Sequence, residues 1–203
     1  MLTIWGRLNS HNVKKVVWLA EELALPYVRH DVGGRFGMDA AYRTLNPNAL
    51  IPTIEDDGFV LWESNAILRY LAAKHGGERW YPADAATRAF GDRWVEWQNG
   101  FADAQRDAFF NLVRREPADQ DTAAVARSAQ ATAKLMTILD AHLAEHHWLS
   151  GEMFGIGDIP MGVYAHTWFT LAIERPDRPN VARWYAELRD RPGYAANVMI
   201  PLT

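Results

Sequence analysis

Residues 46–70, NPNALIPTIEDDGFVLWESNAILRY, contain the local signals that decide the fold of this 203-residue chain. Two short apolar runs, residues 53–55 and 59–62, flank Asp57-Gly58, a pair typical of tight β-hairpins. Ser64 then stands at a favoured N-cap position, and apolar residues follow it at helical spacing to about residue 74. The segment predicts a hairpin followed by a helix.

Upstream of this segment, the sequence predicts a β-α-β unit. Residues 2–5 and 27–32 are strand-like runs, and apolar residues recur between them at helical spacing. Leu25-Pro26 ends that helix, because proline lacks an N–H and clashes with the preceding turn. Strands joined in this way are parallel, with a right-handed connection. A short helical piece at residues 38–43 completes the order β-α-β-α-β-β-α over residues 1–79.

Downstream of Gly76-Gly77 the strand patterns stop. We interpret residues 80–85 as a linker and residues 86–203 as an all-helical second domain. Apolar residues recur every three or four positions from Phe90 to Leu112 and from Val125 to Leu143, which predicts two long amphipathic helices. The fold class is therefore an α/β N-terminal domain followed by an all-α C-terminal domain.

Composition excludes several classes of protein. The net charge of −4 argues against a nucleic-acid binder, and no apolar run approaches the roughly 20 residues that span a membrane. Cysteine is absent, which removes disulfides, thiolate metal sites and a cysteine nucleophile. The seven histidines show no metal-ligand spacing, so we expect no metal, and with no signal peptide in view we expect a cytoplasmic protein. Lys14-Lys15 is interpreted as a solvent-facing edge of the first helix.

Polar residues at helix starts are the first candidates for a binding site. Asn9-Ser10-His11-Asn12 lies at the N-terminus of the first helix, where unpaired N–H groups and the helix dipole favour an anion. Ordinary N-capping explains the same residues and carries more weight on these residues alone. Glu63-Ser64 at the later helix could receive the ammonium and carboxylate of an α-amino acid, or could simply cap that helix.

A proline directly before a strand is the second unusual feature. Pro52 cannot donate to a strand ladder, but a cis Ile51-Pro52 bond would make a sharp turn and aim the backbone of Ile51 outward. An extended ligand could then pair with that backbone like an added strand. An ordinary turn with a strand-initial proline is the alternative.

The order and spacing of these motifs resemble those of the cytosolic glutathione S-transferases. Residues 2–71 resemble their thioredoxin-like domain, and the segments at 46–52 and 63–70 resemble their glutathione-site signatures. The linker and the helical second half also match, so the resemblance covers nearly the whole chain. Residues 154–159 resemble the helix-capping signature of the second domain, except that Gly155 replaces the usual Ser or Thr while Asp158 remains.

The resemblance implies roles for individual residues. Ser10 would bind the glutathione sulfur, as in bacterial theta-like Ser-type classes, with Asn12 as a second donor. Ile51 and Pro52 would meet the cysteinyl part of glutathione, and Glu63 and Ser64 its γ-glutamyl head. The remaining expectations are Arg35 and Asn48 for the glycyl carboxylate, and Leu8, Phe109, Asn111, Leu112 and Trp168 for the acceptor pocket.

The implied activity is transfer of the glutathione thiol, activated as thiolate, to a small hydrophobic electrophile. Glutathione is then a co-substrate, and no other cofactor is expected. A glutathione-dependent peroxidase or disulfide-bond reductase, and a non-catalytic ligand-binding or protein-interaction member of the family, are the alternatives. The resemblance also implies a homodimer. Incompletely covered aromatic residues such as Phe90 and Phe110, and Arg69 reaching towards the partner subunit, would contribute to it.

Overall fold

The computed structural model describes residues 1–203, and its N-terminal part has the predicted element order. These elements are β1 (Leu2–Trp5), α1 (His11–Glu22), β2 (Tyr27–His30), α2 (Ala40–Leu45), β3 (Thr53–Asp56), β4 (Phe59–Trp62) and α3 (Ser64–Leu71). The sheet order is β2-β1-β3-β4, with β1 and β2 parallel and the other pairs antiparallel. The predicted β-α-β unit and hairpin are therefore confirmed. Helix α3 ends at Leu71 and is followed directly by a π-helical turn, Ala72–Gly76.

The remaining chain is helical, which confirms the all-α second domain. It contains α4 (Gly77–Trp80), α5 (Ala85–Phe109), α6 (Thr122–Glu145), α7 (Asp158–Thr170), α8 (Pro179–Arg189) and α9 (Pro192–Asn197). The predicted linker at 80–85 covers the end of α4 and the start of α5, where the Asp84 side chain caps α5 by accepting from the Thr87 N–H at 2.8 Å. A π-helical turn, Phe110–Arg114, extends α5. None of these helices combines the length and the apolar character that crossing a membrane requires.

Helix α1 joins the two parts of the molecule. The Trp18 ring, fully buried, meets the Tyr194 ring with centroids 4.7 Å apart. At the end of the helix, the Glu22 carboxylate accepts from Arg191 Nε at 2.8 Å. Since α1 carries both the Ser10 loop and these contacts, its packing positions the candidate site against the helical domain.

The expectation that Lys14 and Lys15 face solvent is wrong. Their side chains are 2% and 1% exposed. Lys14 Nζ donates to the Val198 carbonyl at 3.0 Å, and Lys15 Nζ contacts the Gln98 carboxamide oxygen at 2.5 Å. The physical reason is that α1 packs against α3, α7 and α9, so no face of it is left for solvent between Val13 and Ala20.

The start of α7 explains the departure from the capping signature. The buried carboxylate of Asp158 accepts from the Leu149 N–H at 2.8 Å, the Gly155 N–H at 3.0 Å and Trp184 Nε1 at 2.9 Å. The Ser150 hydroxyl accepts from the Gly157 N–H at 3.0 Å. A Cβ at position 155 would lie 2.8 Å from that hydroxyl. Ser150 thus occupies the space that a side chain at Gly155 would need, and it caps the turn itself.

Candidate functional site

Ser10 is the N-cap residue of α1, but its side chain makes no capping hydrogen bond. Its backbone is extended, with φ −79° and ψ 129°, and its carbonyl accepts the first helical bond from the Lys14 N–H at 2.9 Å. The hydroxyl forms no hydrogen bond with any other group of the chain. The capping interpretation of the side chain is therefore wrong, and the hydroxyl is free beside the positive end of the helix.

The turn before β3 places a free backbone next to the Ser10 loop. The Ile51-Pro52 peptide bond is cis. The N–H and carbonyl of Ile51 make no hydrogen bond within the chain, and a Cβ on Gly6 would lie 3.3 Å from the Ile51 Cβ. Strand β1, which leads into the Ser10 loop, therefore passes directly against this turn.

Glu63 and Ser64 lie at the start of α3 in unequal environments. Glu63 is exposed and has a positive φ of 73°, whereas Ser64 is only 7% exposed. Together with Asn12, Lys15 and Asn65 they line a cavity of about 300 Å³. The structure therefore brings Asn12 to Glu63 and Ser64 at the start of α3.

Lys15 also lines this cavity, a position that was not predicted from the sequence. Its ammonium lies 3.5 Å from the Ser64 hydroxyl and 3.3 Å from the Asn65 side-chain oxygen. Burial lowers the pKa of Lys15 to about 7, against an opposing effect of the negative charges of Glu63 and Glu96. The available signal was that residues 13–20 of α1 are apolar apart from the two lysines, a pattern typical of a helix buried on all sides.

The two residues expected at the glycyl carboxylate are both exposed but lie in different places. Arg35 is in the short 3₁₀ turn after β2, and its guanidinium lies 4.8 Å from the Phe36 ring centroid. It lines a cavity of about 670 Å³ with Arg7 and Leu8. Asn48 lies in the turn before Ile51, where its N–H donates to the Asn46 side chain at 3.0 Å.

The five residues expected to line the acceptor pocket do not line a single cavity in the structure. Leu8 lines the 670 Å³ cavity, and Phe109 lines a neighbouring cavity of about 190 Å³. Asn111 is buried and fastens the end of α5 to α6, because its side-chain oxygen accepts from the Asp121 N–H at 2.8 Å. Trp168 is 2% exposed in the core, and Leu112 is half-buried. The last three line neither cavity.

Aromatic residues from distant helices form the 190 Å³ cavity instead. The His11 ring stacks on Tyr164 of α7 with centroids 4.8 Å apart. The Phe109 ring contacts the His11 ring edge-on, with centroids 5.0 Å apart. His11 Nε2 lies 2.7 Å from the Thr167 hydroxyl. Burial, with the nearby positive charge of Lys14, lowers the pKa of His11 to about 3, so the ring is neutral at physiological pH.

No group of three or more His, Cys, Asp or Glu side chains in the structure is arranged to hold a metal ion. The polar groups around the candidate site are instead hydroxyl, amide, carboxylate and guanidinium groups. Such groups bind the carboxylates, ammonium and thiolate of a peptide-like ligand through charge-assisted hydrogen bonds.

Comparison with known proteins agrees with this geometry. Residues 9–74 match the family model "Glutathione S-transferase, N-terminal domain", and residues 101–192 match "Glutathione S-transferase, C-terminal domain". Glutathione S-transferase GstB of Escherichia coli is 42% identical, over all of both chains. Disulfide-bond oxidoreductase YfcG of Escherichia coli is 29% identical, covering 91% of this chain and 87% of that protein.

A solved structure extends the likeness to three dimensions. The theta class glutathione S-transferase of Xanthomonas axonopodis pv. citri, with glutathione bound, superposes with a TM-score of 0.95 and is 47% identical. The alignment covers 100% of this chain and 99% of that one. With both domains matched and close relatives aligned over their full length, the chain belongs to the glutathione S-transferase family.

Proposed function

We propose that this protein transfers glutathione to an electrophilic, hydrophobic acceptor, with Ser10 as the hydrogen-bond donor that holds the sulfur as thiolate. The observation that carries the proposal is the Ser10 hydroxyl, which stands at a helix N-terminus without an intramolecular partner. The 42% identical relative that bears the name glutathione S-transferase supports the same activity.

The chemistry requires stabilisation of a thiolate. A free thiol has a pKa near 8.5 and is mostly protonated at neutral pH, whereas the thiolate is the nucleophile. Lowering that pKa by about two units takes about 2.7 kcal/mol of preferential binding of the charged form. The Ser10 hydroxyl and the unpaired N–H groups in the first turn of α1 are donors of the right kind for this.

The rest of glutathione is held by the elements beside Ser10. The free backbone of Ile51, supported by the cis bond to Pro52, pairs with the cysteinyl part. Glu63 accepts from the γ-glutamyl ammonium, and Ser64 with the first N–H groups of α3 holds its carboxylate. Arg35 and Asn48 are the proposed partners of the glycyl carboxylate.

Asn12 has a secondary role in this proposal. Its side chain is exposed and lines the cavity that also contains Glu63 and Ser64. That position favours contact with the γ-glutamyl end over contact with the sulfur. Ser10 is therefore assigned to the thiolate and Asn12 to the body of glutathione.

The test is the Ser10→Ala variant. The loss of one hydrogen bond to a charged sulfur corresponds to roughly 1.5–3 kcal/mol. We expect turnover with an aryl halide to fall roughly tenfold or more, with a smaller change in glutathione affinity. Ultraviolet titration of the bound thiol should show a raised pKa. If Ser10→Ala leaves rate and thiol pKa unchanged while Asn12→Ala abolishes both, Asn12 is the donor.

A second candidate activity is glutathione-dependent disulfide reduction. The relative named disulfide-bond oxidoreductase favours it, at 29% identity. Turnover of a small organic disulfide with glutathione, measured beside aryl-halide conjugation on the same preparation, separates the two. Retention on a glutathione column without either activity would support a non-catalytic binding protein.

We also infer a homodimer, with exposed aromatic residues of edge strand β4 at the interface. Phe59 and Trp62 are 49% and 36% exposed there. Phe90 is half-buried, with the Arg93 guanidinium 4.0 Å from its ring centroid, and Phe110 is 45% exposed, so both rings are incompletely covered as expected. Light scattering at micromolar concentration should give twice the 23.0 kDa chain mass. A mass near that of one chain would contradict the dimer.

A further inference from the structure

Arginine side chains dominate the larger cavity beside Ser10. The 670 Å³ cavity is lined by four of them, Arg7, Arg29, Arg35 and Arg114, and by a single acidic side chain, Asp31. The chain as a whole has a net charge of −4. A cavity with the opposite sign to the whole protein concentrates anionic ligands in one place.

Part of this positive charge is not neutralised within the protein. Arg29 forms an ion pair with Asp31. Arg7 forms no ion pair, and its Nη1 donates to the Asn9 side chain at 2.7 Å. Arg114 Nη2 donates to the main-chain oxygen of Thr203 at 3.3 Å.

The two guanidinium groups also act on each other. Burial and then the positive charge of Arg114 lower the pKa of Arg7. Two like charges that face one cavity bind an anion more favourably than either charge alone, because the anion also relieves their repulsion.

Arg114 connects this cavity to the aromatic one, since it lines both. Its guanidinium carbon lies 5.2 Å from the Phe109 ring centroid and 4.9 Å from that of Phe110. The aromatic cavity, about 190 Å³, exceeds the roughly 150 Å³ that accommodates a benzene ring.

The other polar groups of the aromatic cavity add little net charge. The neutral His11 forms part of its wall. Arg106 forms an ion pair with Asp103 of the same helix. Arg114 is therefore the cation that lines both cavities and faces a ligand whose ring occupies this one.

We propose that the acceptor is an aryl electrophile with a carboxylate substituent, whose ring lies against Phe109 and Tyr164 and whose carboxylate is bound by Arg114 and Arg7. The inference rests on the proposed transferase function and adds the substrate class. The glycyl carboxylate of glutathione has the same chemistry, so the test must separate these two sources of the anion.

Two matched acceptors provide that test, 4-chloro-3,5-dinitrobenzoate and its neutral amide, 4-chloro-3,5-dinitrobenzamide. In both, the thiolate sulfur attacks the chlorine-bearing ring carbon, a C–S bond forms, and chloride leaves with the C–Cl bonding pair. The thiol proton passes to solvent. Because each variant is judged by the ratio of kcat/KM for benzoate to that for amide, differences in intrinsic reactivity cancel.

We expect Arg114→Gln to lower this ratio roughly tenfold to hundredfold, the range of one hydrogen bond between charged groups. Arg7→Gln should lower it in the same direction, and Arg114→Lys should retain part of it. Arg127→Gln is the matched control, because Arg127 is exposed on α6 and lines neither cavity. A ratio that stays within twofold of the wild-type value in both glutamine variants overturns the proposal.

The source of the anion is identified by KM for glutathione measured with the amide. If Arg114→Gln and Arg7→Gln raise this KM and leave the benzoate-to-amide ratio unchanged, the arginines bind the glycyl carboxylate and the proposal is overturned. If the ratio falls and this KM changes little, the acceptor carboxylate is the ligand.

Calorimetry keeps the inference testable when neither acceptor turns over. The two reaction products, glutathione S-conjugates bearing the benzoate or the benzamide ring, are titrated into the wild-type protein and Arg114→Gln. Preference for the benzoate conjugate that Arg114→Gln removes would support the anion site even while the transferase function fails. Equal binding of the two conjugates, or no binding, overturns the inference.

Discussion

The two halves of the candidate site are built in different ways. The proposed glutathione half comes from loops and helix starts of the N-terminal domain, with the key residues between Ser10 and Ser64. The proposed acceptor half is assembled from α1, the end of α5, α7 and residues 200–203. A local motif can specify the first half, because each group sits in a short segment with its own turn chemistry. The second half exists only after α1 has packed against the helical domain.

The largest effect on glutathione affinity should come from Glu63 and Ser64, the proposed partners of the γ-glutamyl group. Glu63→Ala and Ser64→Ala each remove a charge-assisted partner of glutathione, worth roughly 1.5–3 kcal/mol, so calorimetry should show affinity falling at least tenfold. Thermal unfolding of Glu63→Ala should change little, because the exposed Glu63 side chain makes no hydrogen bond within the chain.

Glu145→Ala, at an exposed position on α6, is the matched control for that pair. If affinity survives in both site variants, the motif serves only as the start of α3. The glutathione half would then depend on tertiary contacts as much as the acceptor half does.

A change on the acceptor side should instead alter the pH dependence of stability. The pKa of His11 is about 3 when folded, against 6.5 for the free side chain, so between these values the unfolded state holds the extra proton. The free energy of unfolding therefore falls as pH decreases from 6.5, by about 1.4 kcal/mol per pH unit for one proton. His11→Gln should remove this contribution.

Urea denaturation at pH 6.5, 5.5 and 4.5 measures the difference between the two proteins. His166, whose pKa is also lowered by burial, to about 4, remains in both and cancels. His147→Gln is the control, because that ring is half exposed. Identical slopes in wild type and His11→Gln would show that the ring of His11 is accessible to protons, and that α1 does not seal the acceptor half.

The start of α7 should have a smaller effect, on the helix that carries Tyr164. Ser150→Ala leaves the buried Gly157 N–H without its partner and should cost about 1 kcal/mol of unfolding free energy. Gly155→Ser should also destabilise, because its Cβ would lie 2.8 Å from the Ser150 hydroxyl.

The double variant Ser150→Gly with Gly155→Ser tests the explanation directly. Removing the side chain at 150 makes room for the one at 155, so the two changes should couple favourably in a double-mutant cycle. Additive losses would show that the two positions do not exchange roles.

The smallest effect should come from Arg69, which is expected to reach towards the partner subunit and which forms ion pairs within its own chain. Arg69 Nε donates to Asp92 at 3.0 Å and Nη2 to Glu96 at 2.6 Å, both on α5 of the same chain. These partly exposed pairs should contribute about 0.5–1 kcal/mol, so Arg69→Gln should lower stability slightly in urea titrations. A change of oligomeric state by light scattering would return Arg69 to the subunit interface.

The sequence by itself determined the secondary-structure elements and suggested the residues of the proposed glutathione half. Asp57-Gly58 specifies the hairpin and Leu25-Pro26 ends α1, because glycine conformations and the missing proline N–H act within a few residues. The same locality made Ile51-Pro52 and Glu63-Ser64 recognisable. The alternation of short strands and helices before residue 80, and its absence afterwards, determined the two fold classes.

Only the tertiary structure decided what lies around α1. Whether Lys15 faces solvent or Gln98 depends on packing from three sides. Asn111 and Trp168 were expected in the acceptor pocket, but helix packing buries both in the interior. His11, Arg114 and Tyr164 line one cavity although positions 11 and 164 are 153 residues apart. Contacts at that separation depend on how whole helices are placed, and helical spacing reports only that a residue is covered, not by what.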